Sequence, residues 1–319
     1  MNALNMVDFN LLAAYPALLA QLLPVISCAA IGFYWGKMGK TFPSEFVSNV
    51  AISFATPCLV FYTLVTTRMD NELLLKVGGA AVVSVFVMAV IAALLLKVLR
   101  LPILFLLPCA TFPNSGNLGL PMAQMTYGDD GMVIAVTFFA IFSFLQHTLG
   151  VSFLGWANHK KTSDSKNFPL GVVLVGLAAV LVRSLSIEVP TPILSSTKLV
   201  GSLAVPLMLI SLGYALSTLQ KSRLREGSTL GLIRLLVGAL GGLVVIYFGN
   251  FPLLTSEVIM LQLLMPVAVV NYLYTERLTS HGDTAAAAVL VSTCVFAILS
   301  PLIIAWSSLG ASILIQARP

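Results

Sequence analysis

Long apolar runs alternate with short polar or charged stretches from one end of the chain to the other. A helix that crosses a bilayer needs about 20 mostly apolar residues. Ten stretches of that kind stand at roughly 11–35, 44–65, 73–96, 102–126, 131–157, 169–187, 193–218, 229–249, 253–275 and 284–314. Backbone groups in lipid must pair within their own segment, so each stretch is predicted to be helical. No charged region opens the chain and no signal-type cleavage site follows the first run, which is therefore expected to stay as a span.

Composition turns this pattern into a class. Of 319 residues, 58% are hydrophobic and only 9% charged, against about 25% charged in a soluble domain. So few charges cannot cover a water-facing surface, and most of the surface is expected to face the lipid bilayer. The net charge of +5 does not point to nucleic acid, because the basic residues sit in short loops between the stretches. Their distribution reads as topology instead. Eleven of them (Lys37, Lys40, Lys97, Arg100, Lys160, Lys161, Lys166, Lys221, Arg223, Arg225 and Arg277) follow odd-numbered stretches, against five on the other side (Arg68, Lys76, Arg183, Lys198 and Arg318). The odd loops are then cytoplasmic, and both termini are extracytoplasmic in a multi-pass protein of the cell (inner, cytoplasmic) membrane. A loop at 127–131, with Asp129 and Asp130, fits the outer side. Cys28, Cys58, Cys109 and Cys294 all fall inside stretches without metal-ligand or disulfide spacing, and they read as packing residues. No metal and no cofactor is expected.

The most polar loop, Asn158 to Asn167, divides the ten stretches into five and five. Five is odd, so two halves sharing one fold would be inverted in the membrane, a common transporter plan. The expected division is a first repeat at 1–157, a cytoplasmic linker at 158–168 and a second repeat at 169–319. Pro57 in ISFATPCLVFYTL and Pro206 in VGSLAVPLMLISLGYAL hold corresponding places in stretches two and seven.

Stretches four and nine carry the chemistry. The fourth reads LPCATFPNSGNLGLPMAQMTYG, with Pro108, Pro113, Gly116, Gly119 and Pro121 close together. Proline removes a backbone donor and clashes with the preceding turn, so a continuous helix across Asn114 to Leu120 is not expected. The ninth reads LQLLMPVAVVNYLYTERL, with Pro266 ahead of Val270 and Asn271. Broken helices at matching places in two halves point to a transporter's binding site. Each break frees N–H groups on one side and C=O groups on the other, which must be buried in protein or line a wet cavity. Asn114, Ser115, Asn117 and Asn271 supply side-chain donors and acceptors there. Either they contact substrate or they cap broken helix ends, and the two roles are compatible. No lysine or arginine is placed at that depth. Arg183 and Arg234 read as residues near span ends whose charged heads reach for the interface. A bound anion would then rest on amide side chains and helix N-termini.

At these residues the sequence resembles the auxin efflux carrier family, which includes plant carriers and bacterial permeases for dicarboxylates such as malonate and malate. PNSGNLGLP at 113–121 looks like the family's first crossover motif, followed by YGDDGMVIAV, and MPVAVVNYLYTERLTSHGD at 265–283 resembles the second crossover of bacterial members. The resemblance covers essentially the whole chain. It implies an all-α integral membrane fold of ten transmembrane helices in two inverted five-helix repeats, with broken helices four and nine crossed, as in sodium–bile-acid transporters. It also implies a scaffold of helices 1, 2, 6 and 7, a moving transport domain of helices 3–5 and 8–10, and a homodimer. Plant carriers have a second proline about where Asn271 stands and a long central loop that is absent here, so auxin itself is not the expected substrate.

None of the twelve acidic residues falls in the middle of a stretch. Intramembrane carboxylates are the usual carriers of coupling protons or cations. Their absence speaks against a cation–proton antiporter, although backbone carbonyls at a break could still hold one ion. His147 in FLQHTLG is the one ionisable residue well inside a stretch. It is either a coupling or substrate-contacting residue, or a polar packing residue beside Gln146 and Thr148. Without a nucleophile–base or metal constellation inside the stretches, an enzyme is not expected. The expected function is secondary transport of a small organic anion, with a channel, a transport-fold sensor or a cation-coupled antiporter as the alternatives.

Overall fold

The computed structural model describes residues 16, 20, 23–66, 71–157, 170–185, 187–218 and 221–316. Among them the chain is nearly all helical. The helices fall on the apolar stretches. Helix α1 (Leu23–Lys37) lies in the first, and α2 (Ser44–Val50) and α3 (Thr56–Thr66) form the second, joined by a wide π turn at Ala51–Ala55. Next come α4 (Asn71–Val98), α5 (Ile103–Thr111) and α6 (Leu120–Leu145), then a π turn at Gln146–Gly150 leading into α7 (Val151–Ala157). The second half holds α8 (Leu170–Ser184), α9 (Thr191–Gly201), α10 (Ala204–Thr218), α11 (Lys221–Gly249), α12 (Leu253–Leu263), α13 (Val269–Leu278) and α14 (Gly282–Gln316). Five helical runs among the described residues are long and apolar enough to cross a membrane: Leu75–Val98, Ser115–Trp156, Thr191–Thr218, Arg223–Gly249 and Gly282–Gln316. Ser53–Thr66, Leu174–Ser184 and Leu253–Leu263 are shorter apolar helices. The expected linker at 158–168 lies outside the described residues.

Within α6 two helical segments meet at a kink at Gly128 (φ 66°, ψ −156°), inside the connection expected at 127–131. That backbone region is open to glycine, which has no Cβ, so one residue makes the break between stretches four and five.

Both prolines of stretches two and seven follow a helix discontinuity. Pro57 is the second residue of α3, just past the π turn, and Pro206 is the third residue of α10, just past the interruption at Ser202 and Leu203. A proline cannot complete the i→i−4 ladder, so the preceding turn opens or breaks. The entries to stretches four and nine match even more closely. Arg100 and Asn250 both have positive φ, 56° and 48°. Two residues later Pro102 and Pro252 take extended backbone angles, and α5 and α12 begin immediately after them. The same three-step entry, left-handed residue, bridging residue, proline, is used twice.

Packing pairs the elements across the halves. Helix α1 lies along α10, and α3 along α8 and α9. Helix α11 packs on α14, on α4 and on α5, while α4 packs on α6 and α12 packs on α6 and α14. The α1–α10 contact is backbone to backbone. A Cβ on Gly32 would collide with the Ile210 carbonyl, and one on Gly213 with the Ala29 carbonyl. Two glycines, one from each helix, thus let the chains approach as small residues do in membrane interfaces.

Candidate functional site

Stretches four and nine both break, at 112–114 between α5 and the turn that starts α6, and at 264–268 between α12 and α13; the first break lies ahead of the expected 114–120, where the chain is helical again from Ser115. Pro113 and Pro266 bring no N–H, so neither break can be closed by its own helix. The two extended strips close each other. Asn114 donates its backbone N–H to Pro266 O (2.7 Å), and Ala268 donates to Phe112 O (3.2 Å), with Pro113 opposite Val267 as an antiparallel bridge. The Val267 N–H goes to Ser292 Oγ of α14 (3.1 Å).

Beyond the first break the chain rewinds through a π turn, Ser115–Gly119, in which Leu118 and Gly119 both donate to Asn114 O. The backbone N–H groups of Ser115, Gly116 and Asn117 sit in this first turn, where a helix offers them no acceptor. Ser115, Gly116 and Asn117 border a small cavity of about 50 Å³. Ala268, Val269 and Val270, at the start of α13, border it from the second break. Two positive helix ends therefore meet at one cavity. Its remaining walls are Phe139, Ser143, Gln146 and His147 on one side and Leu59 with Ala204, Val205 and Met208 on the other. The second group comes from α3 and α10, so the cavity lies between two packed groups of helices.

The side chains divide sharply. Asn114 is 4% exposed and lines the cavity. Among the described residues its amide has no hydrogen-bond partner. Ser115 and Asn117 line the cavity as well. Asn271 is the opposite case, at 1% exposed. Its Nδ2 donates to Pro108 O (3.1 Å) and Phe112 O (3.0 Å), and its Oδ1 accepts from Gln146 Nε2 (3.0 Å). It is absent from the cavity wall and seals the open end of α5. His147 lines the cavity and its Nδ1 shares a 2.8 Å hydrogen bond with Tyr274 Oη.

The glycines and remaining prolines shape the walls. A Cβ on Gly116 would strike the Phe139 ring, and one on Gly119 would strike Gln262, whose Nε2 donates to Gly119 O (2.9 Å). Pro121 follows the π turn directly, as the second residue of α6; having no N–H, it makes no bond back into that turn. Pro108 lies inside α5 and leaves its carbonyl to the Phe112 N–H (2.9 Å) as well as to Asn271.

Arg234 corrects the sequence reading. It is fully buried, 0% exposed, and its head does not reach an interface. It donates through Nε to Met265 O (3.4 Å), through Nη1 to Ala110 O (3.0 Å) and Thr111 O (2.6 Å), and through Nη2 to Leu263 O. An arginine does stand at the depth of the breaks, on their carbonyl side. The signal available in the sequence was a single arginine well inside the apolar run GLIRLLVGAL; its proximity to the start of the run disguised it.

Apolar helices of membrane-crossing length, with two mutually paired breaks around a small cavity of mixed polar and apolar lining, are what a multi-pass membrane transporter would present. A family described as membrane transport protein matches residues 17–169 and again 161–304, nearly the whole chain in two stretches. The chain belongs to that family, which holds the auxin efflux carriers it resembles. Curated proteins yield no match to it.

Proposed function

We propose that this chain is a secondary transporter that carries a small organic anion, a mono- or dicarboxylate, across the cytoplasmic membrane by elevator-type alternating access. The observation that carries this reading is the buried Asn114 amide, without a hydrogen-bond partner among the described residues, set beside two helix N-termini in one cavity. A carboxylate entering there exchanges its water for fixed donors, which low-dielectric surroundings require. A cavity of about 50 Å³ takes a few waters at roughly 10–15 Å³ each, which suits a compact anion. Ser115, Asn117 and the backbone at Val270 would share the contact, and Asn271 would position the first break. His147 is the ionisable side chain in the wall, and we assign it to proton coupling or anion contact.

Packing supports ten spans in two inverted repeats, 1–157 and 169–319 about the linker at 158–168. Exchanging stretches one with six and two with seven maps the α1–α10 contact onto the α3–α8 contact. The same exchange maps α4–α6 onto α11–α14, and the doubled entry at Arg100 and Asn250 obeys it too. Stretches 1, 2, 6 and 7 pack on one another as a scaffold, and 3–5 with 8–10 form the unit that would slide, carrying the crossed breaks. The cavity between the two groups is where such a mechanism needs its site. A homodimer through the scaffold is carried over from the resemblance alone.

Purified protein is expected to gain thermal stability with at least one small mono- or dicarboxylate and to move it, saturably, into liposomes. Linear flux without saturation would indicate a channel, and stabilisation without flux a sensor. The basic bias of eleven to five supports a topology with both termini outside the cytoplasm. A reporter fused after Pro319 that works only in the cytoplasm is expected to stay silent, and a strong signal would reverse the topology.

A further inference from the structure

We propose that Arg234 is a tethered cation: its guanidinium fills the carbonyl cage where α5 and α12 end, in the place of a diffusible ion, so the protein holds its site together without sodium or potassium. The transport consequence rests on the carrier reading above; the cage itself does not.

The chemistry of the cage is that of a cation site. Four carbonyl oxygens, from Ala110, Thr111, Leu263 and Met265, converge on the guanidinium. They come from the carboxyl ends of two helices, each carrying about half a negative charge from its dipole. Two such ends call for about one positive charge, and one guanidinium supplies it. Met88 Sδ, 3.5 Å from Nη1, is the soft fifth neighbour. Among the described residues none of these partners is a carboxylate, so the charge is answered by backbone dipoles alone. The cage is also built to admit the head. At Gly238, one turn beyond Arg234, a Cβ would collide with Leu263 O and stand 2.8 Å from Nη2. Glycine there lets the carbonyl reach the guanidinium.

The two sides of the breaks are thus complementary. The N–H ends face the cavity, open for an anion. The C=O ends face Arg234, closed by a charge that cannot leave and, for arginine, cannot deprotonate. A carbonyl cage that already contains its cation has no vacancy for a coupling ion. Anion movement is then expected to be insensitive to sodium and potassium.

The test needs no substrate in its first arm. Wild-type protein in detergent is expected to melt at the same temperature in sodium, potassium or choline chloride of equal ionic strength. Arg234→Ala is expected to melt several degrees lower and to regain part of that loss in millimolar guanidinium but not in choline. Sodium-specific stabilisation of the wild type, or an Arg234→Ala protein that melts like the wild type, would overturn the proposal. Should Arg234→Ala not fold, Arg234→Lys and Arg234→Gln replace it. Recovery of folded lysine variant alone supports the tethered charge, and equal behaviour of the two sinks it. The second arm measures carboxylate flux in sodium, potassium and choline media. Ion-independent flux supports the proposal, and sodium-driven flux refutes it. No flux in any medium would count against the carrier reading and leave the melting result standing.

Discussion

Asn114→Ala is expected to bind a carboxylate substrate about 10- to 150-fold more weakly than the wild type while melting at nearly the same temperature. The amide is buried but has no partner within the protein among the described residues. Its removal therefore strands no protein donor or acceptor. What is lost is a charge-assisted hydrogen bond to the bound anion, worth about 1.5–3 kcal/mol, which converts to that range of affinity. The backbone at this position is held separately, through its N–H to Pro266 O, and alanine keeps that bond. Binding by titration calorimetry, read beside a melting curve, checks the prediction. Unchanged affinity for every transported anion would place the substrate elsewhere. Asn114→Asp sharpens the test, since a carboxylate in the cavity repels the ligand it should attract.

Asn271→Ala is expected to show the reverse pattern, with a large fall in stability and any loss of transport following from it. This asparagine makes three hydrogen bonds at 3.0–3.1 Å. Alanine would leave the Gln146 amide short of an acceptor and the Pro108 and Phe112 carbonyls short of a donor at the frayed end of α5. Each buried polar group left unsatisfied costs about 1–3 kcal/mol. Phe112 O retains Ala268 N–H and Pro108 O retains Phe112 N–H, so the full sum is not reached. A net loss of roughly 2–4 kcal/mol follows, visible as a clear drop in melting temperature. A variant with wild-type stability and abolished binding would show that Asn271 touches substrate after all. The sequence made the two asparagines look alike, one directly after Pro113 and one five residues after Pro266, yet Asn114 lines the cavity and Asn271 bonds to the end of α5.

That contrast marks how far the chain could be read from its letters. Apolar runs and proline positions located the helices and both breaks, because lipid permits few alternatives to a helix and proline permits none across Pro113. The cavity's composition was legible too, since Asn114, Ser115 and Asn117 have no other place to go once the helix opens. The direction of a side chain was not. Whether Asn271 faces the cavity depends on the rotation of α13 against α5, which no spacing encodes. Arg234 was misread for a similar reason. Its partners are backbone carbonyls, and a carbonyl is the same atom at every residue. The connection at 127–131 was legible from Gly128 beside two aspartates; that a single residue in an unusual conformation makes the kink was not.

The bond partners that close the first break have a consequence for synthesis. Ala110 O and Thr111 O wait for Arg234, 124 and 123 residues later. At roughly 5–20 residues per second on the ribosome, the interval is about 6 to 25 seconds. During it the nascent first half sits in the membrane with open carbonyls that lipid tails cannot satisfy. Water, headgroups or the insertion machinery must hold that place until the second half arrives. The first break is thus completed by a residue of the second half, so its carbonyls stay open until that half enters the membrane.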